Sequence, residues 1–101
     1  MKGYKAYTKE KGLIETNDDR ELIDLTWHRE DGPAIISYYH NGNIEYEGYK
    51  IDDKGHRLNG PADICYDING NITYVEYCIN GIAYTKEQYE KELLKLKVQL
   101  L

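Results

Sequence analysis

Two histidine-arginine pairs are the residues whose type and spacing most suggest catalysis. His28-Arg29 and His56-Arg57 each precede a Gly-Pro-Ala triplet by the same distance. A histidine near a carboxylate, as His28 is near Asp31, has the makings of the acid-base site of a small hydrolase. Catalysis needs one asymmetric set of groups, however, and this pair recurs in two places. The recurrence indicates a structural corner, and we expect no catalytic residue. The corner residues are His28, Arg29, Gly32, Pro33, His56, Arg57, Gly60 and Pro61.

Metal-ligand spacing is weak along the chain. Zinc needs three or four converging ligands, whereas the three histidines and two cysteines are scattered. Asp67, Asn69 and Asn71 resemble the start of a calcium loop, but the glycine comes too early and no glutamate follows at the required distance. We therefore expect no metal and no cofactor, a plain turn at residues 67–71, and free thiols at Cys65 and Cys78.

The segments that position these residues form an internal repeat. Residues 28–51 and 56–79, a shift of 28, are identical at 14 of 24 positions. Asn-Gly and Asp-Gly pairs separate segments rich in isoleucine and tyrosine, a pattern typical of β-hairpins with type I′ turns. If Asn69-Gly70 is a two-residue turn, cross-strand partners in the second unit sum to 139. That register places alternate residues, from Ala62 to Ile79, on a single core face.

The other face of the first unit carries an apolar and aromatic strip. In the second unit the same face carries carboxylates and cysteines, so the strip is the distinctive surface of this sequence. It is either covered by the C-terminal helix or used to bind a partner, since Tyr and Trp are favoured anchors of binding surfaces. The candidate partner surface is Trp27, Ile35, Tyr39, Ile44 and Tyr46.

A C-terminal helix is predicted from Lys86 to the end. Thr85 to Gln88 form a capping-box pattern, and Tyr89, Leu93, Leu96 and Leu100 recur at helical spacing. Such an apolar stripe packs on its own sheet or, as an alternative, seats a second copy of the chain in a homodimer.

Composition and length bound the remaining choices. The chain has 101 residues, enough for one domain, and contains eleven tyrosines and no phenylalanine, which favours strands. A net charge of −5 without a basic run argues against direct binding of nucleic acid. No segment has the length and apolar character of a membrane span, and the first residues lack a secretory signal. We expect a cytoplasmic protein.

The motifs of the first unit resemble a known repeat family. Residues 38–49, with a tyrosine, an Asn-Gly turn and then Tyr46-Glu47-Gly48-Tyr49, resemble a MORN-type repeat. Residues 28–34 read His-Arg-Glu-Asp-Gly-Pro-Ala, which resembles the "HREDGPA" variant found in phages, giant viruses and bacteria. This resemblance implies β-hairpin repeats with adaptor, membrane-peripheral or partner-inhibiting roles and no shared catalytic residues.

The predicted architecture is mainly β, an antiparallel β-hairpin repeat meander of period 28 with a C-terminal α-helix. One domain would comprise a degraded N-terminal half repeat (1–27), repeat one (28–55), repeat two (56–84) and the helix (85–101). The expected function is non-enzymatic binding of another protein, in its narrowest form as a phage-encoded inhibitor of a host defence protein. The alternatives are a peripheral membrane or adaptor role and, less favoured, a small hydrolase using His28.

Overall fold

The computed structural model describes residues 3–99, which form an antiparallel sheet and one C-terminal helix. The predicted fold class is confirmed. The strands are β1 (Gly3–Thr8), β2 (Gly12–Thr16), β3 (Ile35–Tyr38), β4 (Ile44–Gly48), β5 (Lys50–Ile51), β6 (Lys54–Gly55), β7 (Asp63–Tyr66), β8 (Ile72–Ile79) and β9 (Ile82–Tyr84). A 3-10 turn spans Asp19–Leu22, and helix α1 spans Lys86–Gln99.

Seven strands make one continuous sheet in the order β2-β1-β3-β4-β7-β8-β9, and β5 and β6 form a separate small hairpin. All pairings are antiparallel. Face A of the sheet is the side that bears Tyr4, Ser37, Tyr46, Cys65 and Tyr74, which are successive cross-strand partners. The opposite side, face B, bears Ile36, Glu47, Ile64 and Val75.

The hairpin register is confirmed near the corners and shifts toward the turns. Asp63 pairs with Glu76 and Cys65 with Tyr74, which gives the predicted sum of 139. A bulge follows, and Tyr66 pairs with Ile72. The predicted type I′ turn at Asn69-Gly70 is wrong, because only the glycine has positive φ and the Asp67 N–H donates to the carbonyl of Asn71. A single left-handed glycine closes a longer loop, which offsets the two strands by one residue.

Two-residue turns of type I′ occur elsewhere in the repeat. Asn80 and Gly81 have φ of 51° and 82° and join β8 to β9, as the sequence predicted. Asp52 and Asp53, at the equivalent place in the first unit, have φ of 49° and 66° and join β5 to β6. Asp24, a further 28 residues upstream, also has positive φ, at 64°. The repeat period therefore extends into the N-terminal segment.

The N-terminal segment differs from the expected strand over Leu22 to Trp27. Leu22 ends the 3-10 turn, and Trp27 makes only an isolated bridge to Thr8. Strand β1 instead occupies the place that β4 has in the first unit, since β1 pairs with β3 as β4 pairs with β7. Strand β2 and the 3-10 turn are an insertion between β1 and the first corner.

Helix α1 begins at the predicted capping box. The Thr85 N–H donates to Gln88 Oε1 at 3.1 Å, and the Gln88 N–H donates to Thr85 Oγ1 at 3.2 Å, so two helix-start groups are paired reciprocally. Tyr89 is 3% exposed and its ring lies 4.9 Å from that of Tyr77. The helix contacts β8 and β9. The predicted stripe residue Leu100 lies outside the described residues.

The buried side chains lie on both faces, not on one. Ile36 and Ile64 are buried on face B as expected, but the largest cluster of buried apolar residues lies on face A. Val75 and Ile68, expected in the core, are 36% and 40% exposed. The face A cluster consists of Ala6, Leu22 and Ile35, with Tyr4, Ile14, Trp27 and Tyr46 packed around it.

Candidate functional site

An apolar groove lies on face A of the sheet. Its volume is about 490 Å³, within the range of small ligand sites and side-chain pockets. We call it the face A groove. Its lining residues are Tyr4, Asp19, Leu22, Ile23, Trp27, Ile35, Ser37 and Tyr46.

The floor of the face A groove is closely packed. Ile35 is only 4% exposed. A Cβ added to Gly48 would lie 2.5 Å from the Tyr46 hydroxyl oxygen and 2.8 Å from Ile35 Cγ2, so glycine is required for steric reasons. The Tyr46 hydroxyl donates to Asp63 Oδ1, and burial, followed by this bond, raises the pKa of Tyr46 above its ordinary value. The floor is therefore closely packed, and its tyrosine hydroxyl is held in the neutral form.

The rim of the face A groove is irregular chain. Ile23 is 64% exposed, and Asp19 adds a carboxylate to the lining. The Trp27 backbone N–H donates to Asp53 Oδ1 at 2.6 Å. Among residues 3–99, Trp27 Nε1 is the buried side-chain polar atom without a hydrogen-bond partner, an arrangement that costs about 1–3 kcal/mol. The rim therefore combines an exposed apolar side chain with a tryptophan whose ring N–H is unpaired within residues 3–99.

Three of the five residues predicted as a partner surface line the face A groove: Trp27, Ile35 and Tyr46. The other two do not join it. The Tyr39 hydroxyl donates to the carbonyl of Tyr66 at 2.7 Å and so ties the two hairpin ends together. Ile44 pairs with Tyr38 beyond a bulge that displaces it from the alternation. A two-residue turn, as predicted from the sequence, would have produced no such bulge.

Leu22, Ile23 and Tyr4 complete the face A groove and were not predicted. Leu22 and Ile23 lie in the inserted segment, where no strand alternation assigns a face. Tyr4 could have been found, because Tyr4-Lys5-Ala6-Tyr7 is similar to Tyr46-Glu47-Gly48-Tyr49, with alanine in place of the glycine.

The repeated corners form a second cavity, which is polar and has a volume of about 450 Å³. In each corner the histidine caps a type I′ turn: His28 Nδ1 accepts from the Asp52 N–H at 3.1 Å, and His56 Nδ1 accepts from the Asn80 N–H at 3.0 Å. The same imidazole nitrogen serves the same backbone contact in both units. The histidines therefore join consecutive parts of the array.

The arginines of the corners stack on tyrosines. The Arg29 guanidinium lies 3.9 Å from the centroid of the Tyr7 ring and donates to the carbonyl of Pro33. Arg57 lies 3.9 Å from the centroid of Tyr49 and donates to the carbonyl of Pro61. Gly32 and Gly60 leave the space that the guanidinium groups occupy. A Cβ added at these positions would lie 2.8 Å and 3.0 Å from the guanidinium carbons of Arg29 and Arg57.

A cluster of possible metal ligands lies on face A of the second unit. Asp63 Oδ, Glu76 Oε and Cys78 Sγ lie within 4.8 Å of one another, and we call them the donor cluster. Burial, then the hydrogen bond to Glu76, raises the pKa of Cys78 to about 11. Cys65, whose thiol pKa burial also raises, lies two residues from Asp63 and is not in the cluster.

The donor cluster mixes carboxylates with one thiol, so the spacing of histidines and cysteines along the sequence does not indicate it. The signal was present, since the predicted register already placed all three residues on one face. Residues 67–71, which resemble the start of a calcium loop, form a turn. Asp67 Oδ1 accepts there from the backbone N–H groups of Asn69 and Asn71.

Comparisons with family models, with curated proteins and with solved structures found no match. Within residues 3–99, no helix has the length and apolar character needed to cross a bilayer.

Proposed function

We propose that this protein is a non-enzymatic module that binds another protein through the face A groove. One observation carries the proposal. An apolar groove of about 490 Å³, with Trp27 and Tyr46 in its lining, lies open on face A. Aromatic side chains in a preformed apolar pocket are the usual anchor sites of protein interfaces.

The chemistry of the face A groove favours a particular kind of partner segment. An aliphatic or aromatic side chain would fill the apolar floor beside Ile35, and burying one such side chain contributes about 1.5–3 kcal/mol. A lysine or arginine next to it would meet Asp19 at the rim. The net charge of −5 adds long-range attraction for a basic partner and raises its association rate more than its affinity.

The alternatives have less support. His28 accepts a backbone N–H through Nδ1, as His56 does, so the residue chosen for a hydrolase is engaged in the array. A peripheral membrane role suits the acidic surface poorly, because cytoplasmic leaflets are negative. The narrower form of the proposal, a phage-encoded inhibitor of a host defence protein, rests on the resemblance of residues 28–34 to the "HREDGPA" variant.

The test is affinity capture from a phage host lysate with three baits: the natural chain, Ile23→Arg and Leu58→Arg. Ile23 is 64% exposed at the groove rim, and Leu58 is 48% exposed at the second corner, so both variants should fold with an unchanged Tm. We expect a specific protein to bind the natural chain and Leu58→Arg but not Ile23→Arg. Equal capture by all three baits would refute the groove, and no specific protein with any bait would refute the function.

A further inference from the structure

We propose that Asp63, Glu76 and Cys78 form a binding site for a zinc-class divalent cation. Carboxylate oxygen and thiolate sulfur are established zinc ligands, and three protein ligands leave a fourth position open. This site lies in the second unit and does not depend on the protein-binding function of the face A groove.

The donor atoms are close to the spacing that a tetrahedral ion requires. Bonds of 2.0–2.3 Å to the ion place ligand atoms about 3.3–3.8 Å apart. Cys78 Sγ lies 3.5 Å from Glu76 Oε1, and all three ligand atoms lie within 4.8 Å of one another. Because Asp63 and Glu76 are direct cross-strand partners, small side-chain rotations close the remaining gap.

Each carboxylate is oriented through one oxygen. Asp63 Oδ1 accepts from the Tyr46 hydroxyl and lies 3.3 Å from Lys50 Nζ. Glu76 Oε2 accepts from the Tyr74 hydroxyl at 2.9 Å. Asp63 Oδ2 is then left for the ion, and Glu76 Oε1, which accepts from the Cys78 thiol, becomes available when that thiol loses its proton. Outer partners that fix the ligating carboxylates in this way are a regular feature of metal sites.

Gly55 packs closely against two of the donors. A Cβ built on Gly55 would lie 3.3 Å from Cys78 Sγ and 3.8 Å from Asp63 Oδ2. Gly55 is not among the glycines with positive φ, so backbone conformation does not explain it. A side chain at this position would also press on the Cys78 Cβ, at 3.2 Å, so the glycine lets the chain pass close to these two donors.

The charges also fit a divalent ion. Two carboxylates placed directly opposite each other in a sheet repel, and Lys50 offsets only one of them. When the ion binds, the Cys78 thiol loses its proton to the buffer and a sulfur-metal bond replaces the S–H bond. Three negative ligands, Lys50 and a divalent cation then sum to zero.

The test is a titration of the full chain with Cd²⁺, whose bond to a thiolate gives an ultraviolet charge-transfer band, followed by displacement with Zn²⁺. Cys65→Ser is the matched control, because it removes the other cysteine and leaves the donor cluster intact. We expect one band of 1:1 stoichiometry in the natural chain and in Cys65→Ser, and none in Cys78→Ser.

Glu76→Gln keeps both thiols and tests the site if Cys78→Ser fails to fold. We expect it to weaken Cd²⁺ binding at least tenfold. Unchanged affinity in Glu76→Gln, a band that follows Cys65, or no band in the natural chain would each overturn the proposal.

Discussion

The two repeats share their corners and differ on face A. In the first unit, Ile35 and Gly48 pair on β3 and β4 and form an apolar floor. At the equivalent positions of the second unit, Asp63 and Glu76 pair on β7 and β8 and form a polar cluster. The tyrosine two residues before the glycine or glutamate is kept, as Tyr46 and Tyr74. The difference shows that the repeat constrains the backbone contacts and leaves face A free to specialise.

The corners explain this freedom. In each unit a histidine caps a turn and an arginine stacks on a tyrosine and binds a proline carbonyl, and none of these groups belongs to face A. Because these contacts recur in both units, the side chains on face A can differ while the corner contacts are kept.

Exchange of the paired face A residues should give the largest effect. Gly48→Glu, which copies Glu76 into the first unit, would push into Tyr46 and Ile35 and bury a carboxylate among apolar groups, a combination that costs several kcal/mol. We expect loss of cooperative unfolding or a Tm lowered by well over 10 °C in a thermal melt monitored by circular dichroism. The reverse change, Glu76→Gly, should lower Tm far less, and equal losses would contradict the specialisation of the two faces.

Equivalent substitutions in the two corners should lower the free energy of unfolding by the same amount. Arg29→Lys and Arg57→Lys each remove the planar guanidinium that stacks on tyrosine and binds a proline carbonyl, so we expect each to lower the free energy of unfolding by about 1–2 kcal/mol. Urea denaturation measures both. Arg20→Lys, on a side chain that is 81% exposed, is the control and should change little. A large inequality between Arg29 and Arg57 would mean that the two corners are not equivalent.

The smallest expected effect is a difference between the two hairpin turns in their response to acid pH. Backbone N–H groups, that of Asn71 first, hold the pKa of Asp67 below 3.8, whereas the first unit's turn uses the neutral amide of Asn41. A lowered folded-state pKa contributes stability above the unfolded pKa, and that contribution is lost as pH falls through the folded value. We expect the Asn71 amide resonance to titrate below pH 3.8 and that of Asn43 to stay constant. Asp67→Asn should abolish the Asn71 titration.

The strands, the helix and the corners could be predicted because local chemistry determines them. Asn80-Gly81 has the residues that a type I′ turn demands, and Thr85 with Gln88 has those of a capping box. The register of Asp63 and Cys65 followed from the 28-residue period and one assumed turn. The longer loop at Asn69-Gly70 could not be distinguished, because the same residue pair closes both kinds of hairpin.

The face A groove could be predicted only in part, because some of its lining residues lie outside the 28-residue repeat. Ile35 and Tyr46 were found from strand alternation. Tyr39 and Ile44, predicted with them, do not line the groove, and a bulge shifts the strand alternation before Ile44. Leu22 and Ile23 come from an insertion whose position over the sheet depends on tertiary packing, such as the bond from the Trp27 N–H to Asp53.

The contact between Tyr77 and Tyr89 bears on how such a protein can grow. Tyr49 and Tyr77 are equivalent residues, yet Tyr49 is covered by the arginine of the following unit and Tyr77 by the helix. The helix also reaches the second corner, since the Tyr89 hydroxyl accepts from the Gly60 N–H at 3.2 Å. Because any added unit would bring its own tyrosine and glycine to the same places, a gene duplication upstream of Thr85 would lengthen the array without a new terminus.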